Sequence, residues 1–404
     1  MTERADLLVI GGGAAGFFGA IRYASLHPRA RVIILEKGKH VLDKVRISGG
    51  GRCNVTHGCF DPRELVLNYP RGKKELLGPF HQFACGDMMG WLEDRGVPTK
   101  IEEDGRVFPE TDSSETIITC FRNEARRLGI EVRTSEGVVT IERQQKWKAT
   151  TPAHWYEADA ILFTTGSSPQ SWELLRQIGV TLVPPVPSLF TFNIKHSLLR
   201  DLPGISVDYA TVELPALHIA DGGPLLITHW GLSGPAVLRI SAQAARQLAE
   251  RSYRCEVVVN WLSADEEEVE HALREMRNSH TRKKPSTTPF QGLPKRLWER
   301  MCEISAIGDC NWADISNQQL HALCNLITRS TFQMQGKSTF KEEFVTAGGV
   351  QLDKVNFKTM ESREVPGLWF AGEVLDIDAV TGGFNFQAAW TTSWIAASNI
   401  PYGS

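Results

Sequence analysis

The chain has 404 residues, 42% hydrophobic and 23% charged, the make-up of an ordinary globular protein with room for two or three domains. A formal net charge of −3 excludes a global electrostatic attraction to nucleic acid or to an anionic membrane. No apolar run reaches the roughly 20 residues that span a bilayer, and the N-terminus lacks a signal-peptide pattern. The eight cysteines show neither a C-x-x-C pair nor zinc spacing, so the expectation is a cytoplasmic protein with reduced thiols and no metal.

The first stretch organises the rest. Asp6–Ile10 is an apolar run too short for a helix and reads as a strand. Gly11-Gly12-Gly13-Ala14-Ala15-Gly16 then fits G-x-G-x-x-G, with a helical stretch behind it. A second strand, Arg31–Leu35, ends on Glu36, 20 residues past Gly16. Gly11 permits the sharp turn, Gly13 lets a pyrophosphate approach the backbone, and Gly16 lets helix pack on strand. The helix N-terminus at Ala14 and Ala15 offers N–H groups and a positive dipole end to phosphate. Glu36 suits both hydroxyls of an unphosphorylated adenosine ribose, and Lys37 beside it belongs to the same site. Preceded by a strand, followed by a helix and closed by an acid, the motif is strong evidence for a dinucleotide.

Next come Gly49, Gly50 and Gly51, then Arg52, Cys53 and Asn54. Such a loop exposes backbone N–H groups, and Arg52 supplies a planar cation for phosphate or for an anionic substrate. At this point the chain resembles a known family. GGGAAG, LEKG, ISGGGRCNVT, EEDGRVFPETDSS, THWGLSGPAVLRIS and GLWFAGEVLDIDAVTGGFNFQAAW together are similar to the bacterial NAD(P)/FAD-dependent oxidoreductases with an inserted barrel. That family is named partly for a bile-acid reductase and partly for an enzyme acting on ribosomal RNA. The resemblance covers nearly the whole chain. It implies an α/β fold: a Rossmann-like FAD domain of the two-dinucleotide-binding-domain type, holding an inserted antiparallel β-barrel with a helical insert of its own.

The order of segments follows. A helix is expected over Gly86–Arg95, and Asp112 with Glu115 resembles a capping box for a helix over Ser113–Leu128. Strand-like pieces follow at Ile130–Ser135 and Gly137–Arg143, the second placing Val138 at the cofactor site. Ala158–Ser168 reads as a buried strand ending on Thr164-Thr165-Gly166, a turn that returns to FAD in relatives. Relatives continue with a longer Gly/Thr-rich segment; here Ser167-Ser168-Pro169-Gln170 runs almost directly into a helix. The Pro cluster Val183–Pro187 marks a crossover between domains. Alternating runs at Leu189–His196, Tyr209–Ile219, Pro224–His229 and Cys255–Leu262 suggest the barrel, with a helix over Ala236–Glu250 behind Pro235. Capping boxes at Ser263–Glu266 and Ser316–Gln319, with a third helix near Leu293–Ile304, make the insert. The expected domains are 1–187 and 346–404 for FAD, 188–262 and 332–345 for the barrel, and 263–331 for the insert.

Arg277, Arg282, Lys283, Lys284, Lys295, Arg296 and Arg300 make that insert locally basic, and its stretch Asn278–Gly292 reads as a polar mobile loop. This is chiefly a solvated face; the alternative is an RNA contact with Phe290 or Trp298 stacking beside it.

The C-terminal return, Phe344–Ala397, closes the cofactor site. The resemblance implies Gly372-Glu373 and Asp376 near the flavin ribityl and pyrophosphate. Gly382-Gly383-Phe384-Asn385 open the last helix, whose N–H groups would meet the isoalloxazine C2=O/N1 edge. FAD accounts for all three segments together; NAD does not. No second G-x-G-x-x-G exists, so NADH or NADPH would dock transiently in the substrate cavity. Cys53 is the first candidate proton donor, with His57 and His229 behind it. Three function classes stay open: reduction of an activated C=C bond, with a small enone or a ribosomal RNA uridine as substrate; oxidation of a small amine or hydroxy acid; and a non-catalytic or RNA-binding flavoprotein.

Overall fold

The computed structural model describes residues 2–338 and 345–403. The chain divides after Val186 and before Val345: the residues outside that interval form one unit, and those within it a second.

The first unit is built on a twisted sheet whose parallel core runs Leu368–Phe370, Trp155–Phe163, Thr2–Ile10, Val32–Leu35 and Glu131–Arg133. Leu7, Leu8 and Val9 are fully buried in succession, so both faces of this strand are covered and neither is a solvent side to alternate against. Register is what matters for function. Ile10 pairs level with Leu35 and with Phe163; Phe370 pairs with Phe163, and Leu35 with Arg133. The chain therefore leaves at Gly11, Glu36, Thr164 and Ala371 along one edge, the edge where open α/β sheets bind ligands. A small antiparallel sheet of Thr56–His57, Arg106–Pro109 and Thr99–Ile101 stands apart from it.

The last helix, Phe384–Asn399, is buried nearly all round. Its fully buried polar side chains are each satisfied, as burial requires. Thr56 Oγ1 donates to Gln387 Oε1 (2.6 Å), Gln387 Nε2 to Thr391 Oγ1 (3.0 Å), and Thr391 Oγ1 to the Phe83 carbonyl (2.9 Å). Ser393 Oγ donates to the Ala15 carbonyl (2.8 Å), and Thr392 Oγ1 accepts from Gly372 N (3.0 Å). This helix thus ties four separate segments, around Ala15, Thr56, Phe83 and Gly372, to itself.

The second unit is a closed six-stranded barrel in the order Thr191–Ile194, Gly231–Ser233, Ile219–Ile227, Ser206–Leu214, Cys255–Asn260 and Ser330–Ser338. Its insert holds helices Glu266–Ser279, Lys295–Ile304 and Asn317–Thr328. The expected barrel return over 332–345 is described as far as Ser338; residues 339–344, including the first residue of the expected C-terminal return, lie outside the described residues.

Local expectations fared unevenly. Ser316 and Gln319 form their capping box, and Pro235 starts its helix, which breaks at Ala244. The Asp112–Glu115 box does not form: Asp112 takes a left-handed φ of 52°, and its carboxylate is held by Lys100 and Arg52. Charged donors outcompete a backbone N–H there. Nor does Ser263 cap its helix; it bonds Thr211, and Asp265 accepts from Glu267 N instead (2.8 Å). The Pro cluster lies in a strand, Leu182–Ser188, of a separate two-stranded ribbon, where missing N–H donors are tolerated.

The basic insert also differs from expectation. Phe290 is 1% exposed and Trp298 0%, with the indole N–H bonded to the Pro285 carbonyl, so neither ring is free to stack on a base. The stretch expected to be mobile is packed through these residues. Arg277 bonds Asn317 and Arg300 the Ser197 carbonyl, while Lys284 and Lys295 pair with Asp309 and Glu299. The face is solvated and partly neutralised by its own acids, and the two rings of the alternative reading lie in the core beneath it.

Candidate cofactor site

The glycine motif is built as strand, turn and helix, Thr2–Ile10 into Ala14–Leu26. Gly11 has φ +110°, and a Cβ there would lie 2.6 Å from the Thr164 carbonyl oxygen. Thr164 in turn donates its hydroxyl to the Ile10 and Gly11 carbonyls (3.1 and 3.0 Å). A Cβ on Gly16 would sit 2.8 Å from Thr164 Oγ1 and well inside contact with the Gly11 oxygen. Gly13 is the opposite case: a Cβ there would meet nothing within 4 Å, and as N-cap it leaves the helix without a side-chain cap. Two glycines of the motif are demanded by packing and one by open space, the space that a phosphate can fill.

Glu36 stands beside this gap. Its Oε2 accepts from Gly12 N (2.8 Å) and its Oε1 from Gly38 N (2.7 Å), leaving each oxygen further acceptor capacity. Glu136 N bonds the Glu36 carbonyl (2.9 Å), which brings the Gly137–Val138 stretch alongside. Lys37 Nζ reaches Ser168 Oγ (3.1 Å) across the shortened segment. Glu373 pairs with Lys44 (2.5 Å) and lies 3.4 Å from Ser167 Oγ. Gly166 and Glu373 are close neighbours, and Asp376 is buried just beyond.

The glycine loop Ser48–Gly51 runs left-handed at Gly49, Gly50 and Gly51, with open space over the last two. Arg52 does not face a free anion site. Its guanidinium lies 3.9 Å over the Phe108 ring and pairs with Glu102 (2.6 Å) and Asp112 (3.4 Å), so it anchors the loop to the small sheet. The guanidinium expected to clamp a phosphate or an anionic substrate thus has carboxylate partners of its own.

Cys53, the first candidate proton donor, is closed off from solvent. It is 0% exposed within the core, and burial pushes its thiol up to about 12, a hydrogen bond with Ser48 working weakly the other way. A thiol this reluctant to ionise is a poor general acid at neutral pH. The same shift has a stability consequence. The folded thiol stays protonated while the unfolded one ionises near 9, so its stabilising contribution is complete below pH 9 and is lost as pH rises toward 12. Denaturant midpoints should therefore fall above pH 9, with a limiting slope of about 1.4 kcal/mol per pH unit from this thiol. Cys53→Ala should flatten the decline; an unchanged slope would remove Cys53 as its source.

His57 stacks on Phe384 (4.5 Å between centroids) and meets the Asp104 carbonyl through Nε2 (3.2 Å). Desolvation lowers its pKa, and its ring packs on the first residue of the last helix. His229 belongs to the barrel unit, on an exposed turn closed by Thr228.

Gly382 and Gly383 carry φ of +131° and +88°, and the helix starting at Phe384 has no side-chain cap hydrogen bond. Asn385 folds back to bond both Ala379 N (3.0 Å) and Ala379 O (3.2 Å), closing the turn before it. Asn54, given no role from the sequence, has its amide orientation set by its neighbours: so oriented, it donates to the Thr56 carbonyl (3.0 Å) and accepts from Gly383 N (3.0 Å), linking the glycine loop to this helix. Its only sequence signal was a polar residue ending a Gly-rich loop.

The geometry thus offers two uncapped helix N-termini, an open glycine gap and an acid on one sheet edge, a set that fits a dinucleotide with a second, ring-bearing half. A family model described as "HI0933-like protein Rossmann domain" matches residues 5–399. The chain belongs to this family. Across the family, its relatives include the ribosomal RNA dihydrouridine synthase of Escherichia coli, 30% identical with 98% of each chain covered. The 3-dehydro-bile acid delta(4,6)-reductase of Clostridium scindens is 28% identical, over 96% of this chain and 97% of that one. In fold, the 3-ketosteroid-delta4-(5alpha)-dehydrogenase of Rhodococcus jostii RHA1 matches with a TM-score of 0.51 at 13% identity, covering 98% and 97%. Membership makes the chain an FAD-dependent oxidoreductase with a Rossmann-type FAD domain. Among the described residues no helix is long and apolar enough to cross a membrane.

Proposed function

We propose that this chain reduces a carbon–carbon double bond conjugated to a carbonyl, in a uridine of RNA or in a small enone. The observation that carries the reading is that full-length relatives named for those two substrates share one chemistry. Saturating the uracil ring and saturating a 3-oxo diene both add a hydride to an electron-poor carbon and a proton to its neighbour.

Bound FAD supplies the ring that accepts and passes on the hydride. In this reading the N–H groups of Ala14 and Ala15, over the gap at Gly13, hold the pyrophosphate, with the open backbone of Gly50 and Gly51 beside it. Glu36 accepts from the adenosine ribose, flanked by Lys37 and Val138. Thr165, Gly166, Gly372, Glu373 and Asp376 border the ribityl chain. The first turn after Gly382 and Gly383, at Phe384 and Asn385, would lie at the flavin ring, where its free N–H groups would favour negative charge. Cys53 is assigned no role in proton transfer. With one dinucleotide motif in the chain, NADH or NADPH is a transient reductant that leaves before the substrate reacts.

The test is anaerobic. Mixing the flavin-loaded protein with NADH or NADPH should bleach the oxidised flavin, and then unmodified ribosomal RNA or a conjugated enone should restore its absorbance. Bleaching by a small amine or hydroxy acid, with no reoxidation by either acceptor, would replace this reading with the oxidase one.

A further inference from the structure

The segment Asp376–Gly383 is gripped by the chain between Asn68 and Gly72. Val380 N donates to the Asn68 carbonyl (3.0 Å), and Tyr69 donates its hydroxyl to the Phe384 carbonyl (2.6 Å). Arg71 forks onto both carboxylate oxygens of Asp378, and the two residues also form an isolated backbone bridge. Gly72 packs so tightly that a Cβ would lie 2.7 Å from Ile377 Cγ1. The ion pair is deeply buried, its side chains 11% and 0% exposed.

A buried pair gives little net stability over an apolar pair of equal volume, because desolvating both ions offsets their attraction. What a bidentate fork supplies is geometry: two parallel bonds fix distance and angle together. The segment it fixes ends on Gly382-Gly383 and delivers the uncapped N-terminus of the last helix. The influence of a helix end falls off within its first turn, so small displacements alter it.

We propose that Arg71, acting through Asp378, is a positioning residue that sets the reduction potential of the bound flavin by fixing this helix end. The inference rests on the reading that the helix end faces the flavin. The experiment is a reductive dye titration of FAD-loaded wild type, Arg71→Lys and Asp378→Asn, with FAD stoichiometry and thermal midpoint measured alongside. Lys keeps the charge but cannot fork; Asn keeps the shape but not the charge. Both variants should keep one FAD per chain and prefer oxidised over reduced FAD about tenfold more than wild type, a midpoint lower by about 30 mV for a two-electron couple. Wild-type midpoints in both FAD-replete variants overturn the proposal. If the single variants lose FAD, the double variant Arg71→Met, Asp378→Leu, which removes both charges of this pair together, is titrated instead, and a wild-type midpoint there overturns it. A wild-type chain that takes up no FAD would overturn the cofactor reading itself, a result visible before any variant is made.

Discussion

Gly13→Ala should leave the fold standing and cost FAD binding at least a hundredfold, whereas Gly16→Ala should destabilise the apoprotein itself, by a net of about 2 kcal/mol. Both changes add one methyl group to the same motif, and the structure separates them. At Gly13 the added carbon enters open space, and the backbone φ of −89° is ordinary for alanine. The folded protein loses only the difference between glycine and alanine as N-cap, about 1 kcal/mol. The same methyl fills the gap in which a pyrophosphate must reach the N–H groups, and a hundredfold is about 2.7 kcal/mol of lost binding. At Gly16 alanine gains up to about 1 kcal/mol of helix propensity. Against that, its methyl collides with the Gly11 carbonyl and Thr164 Oγ1, both backbone-anchored, and overpacking of this kind costs about 3 kcal/mol. Urea unfolding of the apoprotein and flavin fluorescence quenching read the two effects independently. Wild-type FAD affinity in Gly13→Ala would remove the turn as the pyrophosphate site.

Glu36→Ala should damage both stability and binding. Its carboxylate satisfies the N–H groups of Gly12 and Gly38, which hold the two sides of the cleft. Removing it leaves two part-buried donors without a partner, at about 1–3 kcal/mol each where water cannot replace the acceptor. The apoprotein should lose about 2–6 kcal/mol, and FAD affinity should fall a further hundredfold as the ribose acceptor goes. Glu36→Gln keeps the volume but offers only one acceptor oxygen and should fall between. An apoprotein stability within 0.5 kcal/mol of wild type (about the scatter of neutral surface changes) would show that water serves those donors equally well.

Side-chain fate was harder to read than backbone demand. Arg52 reads as a cation for an anion, yet Glu102 and Asp112 claim it. Cys53 reads as a reactive thiol, yet it packs at 0% exposure. Phe290 and Trp298 read, in the RNA alternative, as stacking rings beside cations, yet they lie in the core of the second unit. In each case the deciding partner lies elsewhere in the chain, and no local pattern announces it. The Asp112 and Ser263 caps failed for the same reason, since a distant donor or hydroxyl offered the side chain a better bond than its own helix.

The sequence by itself determined the Rossmann-type FAD domain with its inserted barrel, and the turn residues at Gly11, Gly13, Gly16 and Gly382-Gly383. These are demands of a few contiguous residues: a positive φ, a missing Cβ, an apolar run of strand length. Only the tertiary structure decided that Asn54 meets Gly383, that Gln387 bridges Thr56 and Thr391, and that Arg71 finds Asp378 across 307 residues. A polar side chain must be satisfied once buried, but which partner satisfies it depends on packing between remote segments, and that is settled only when the whole sheet and its last helix close together.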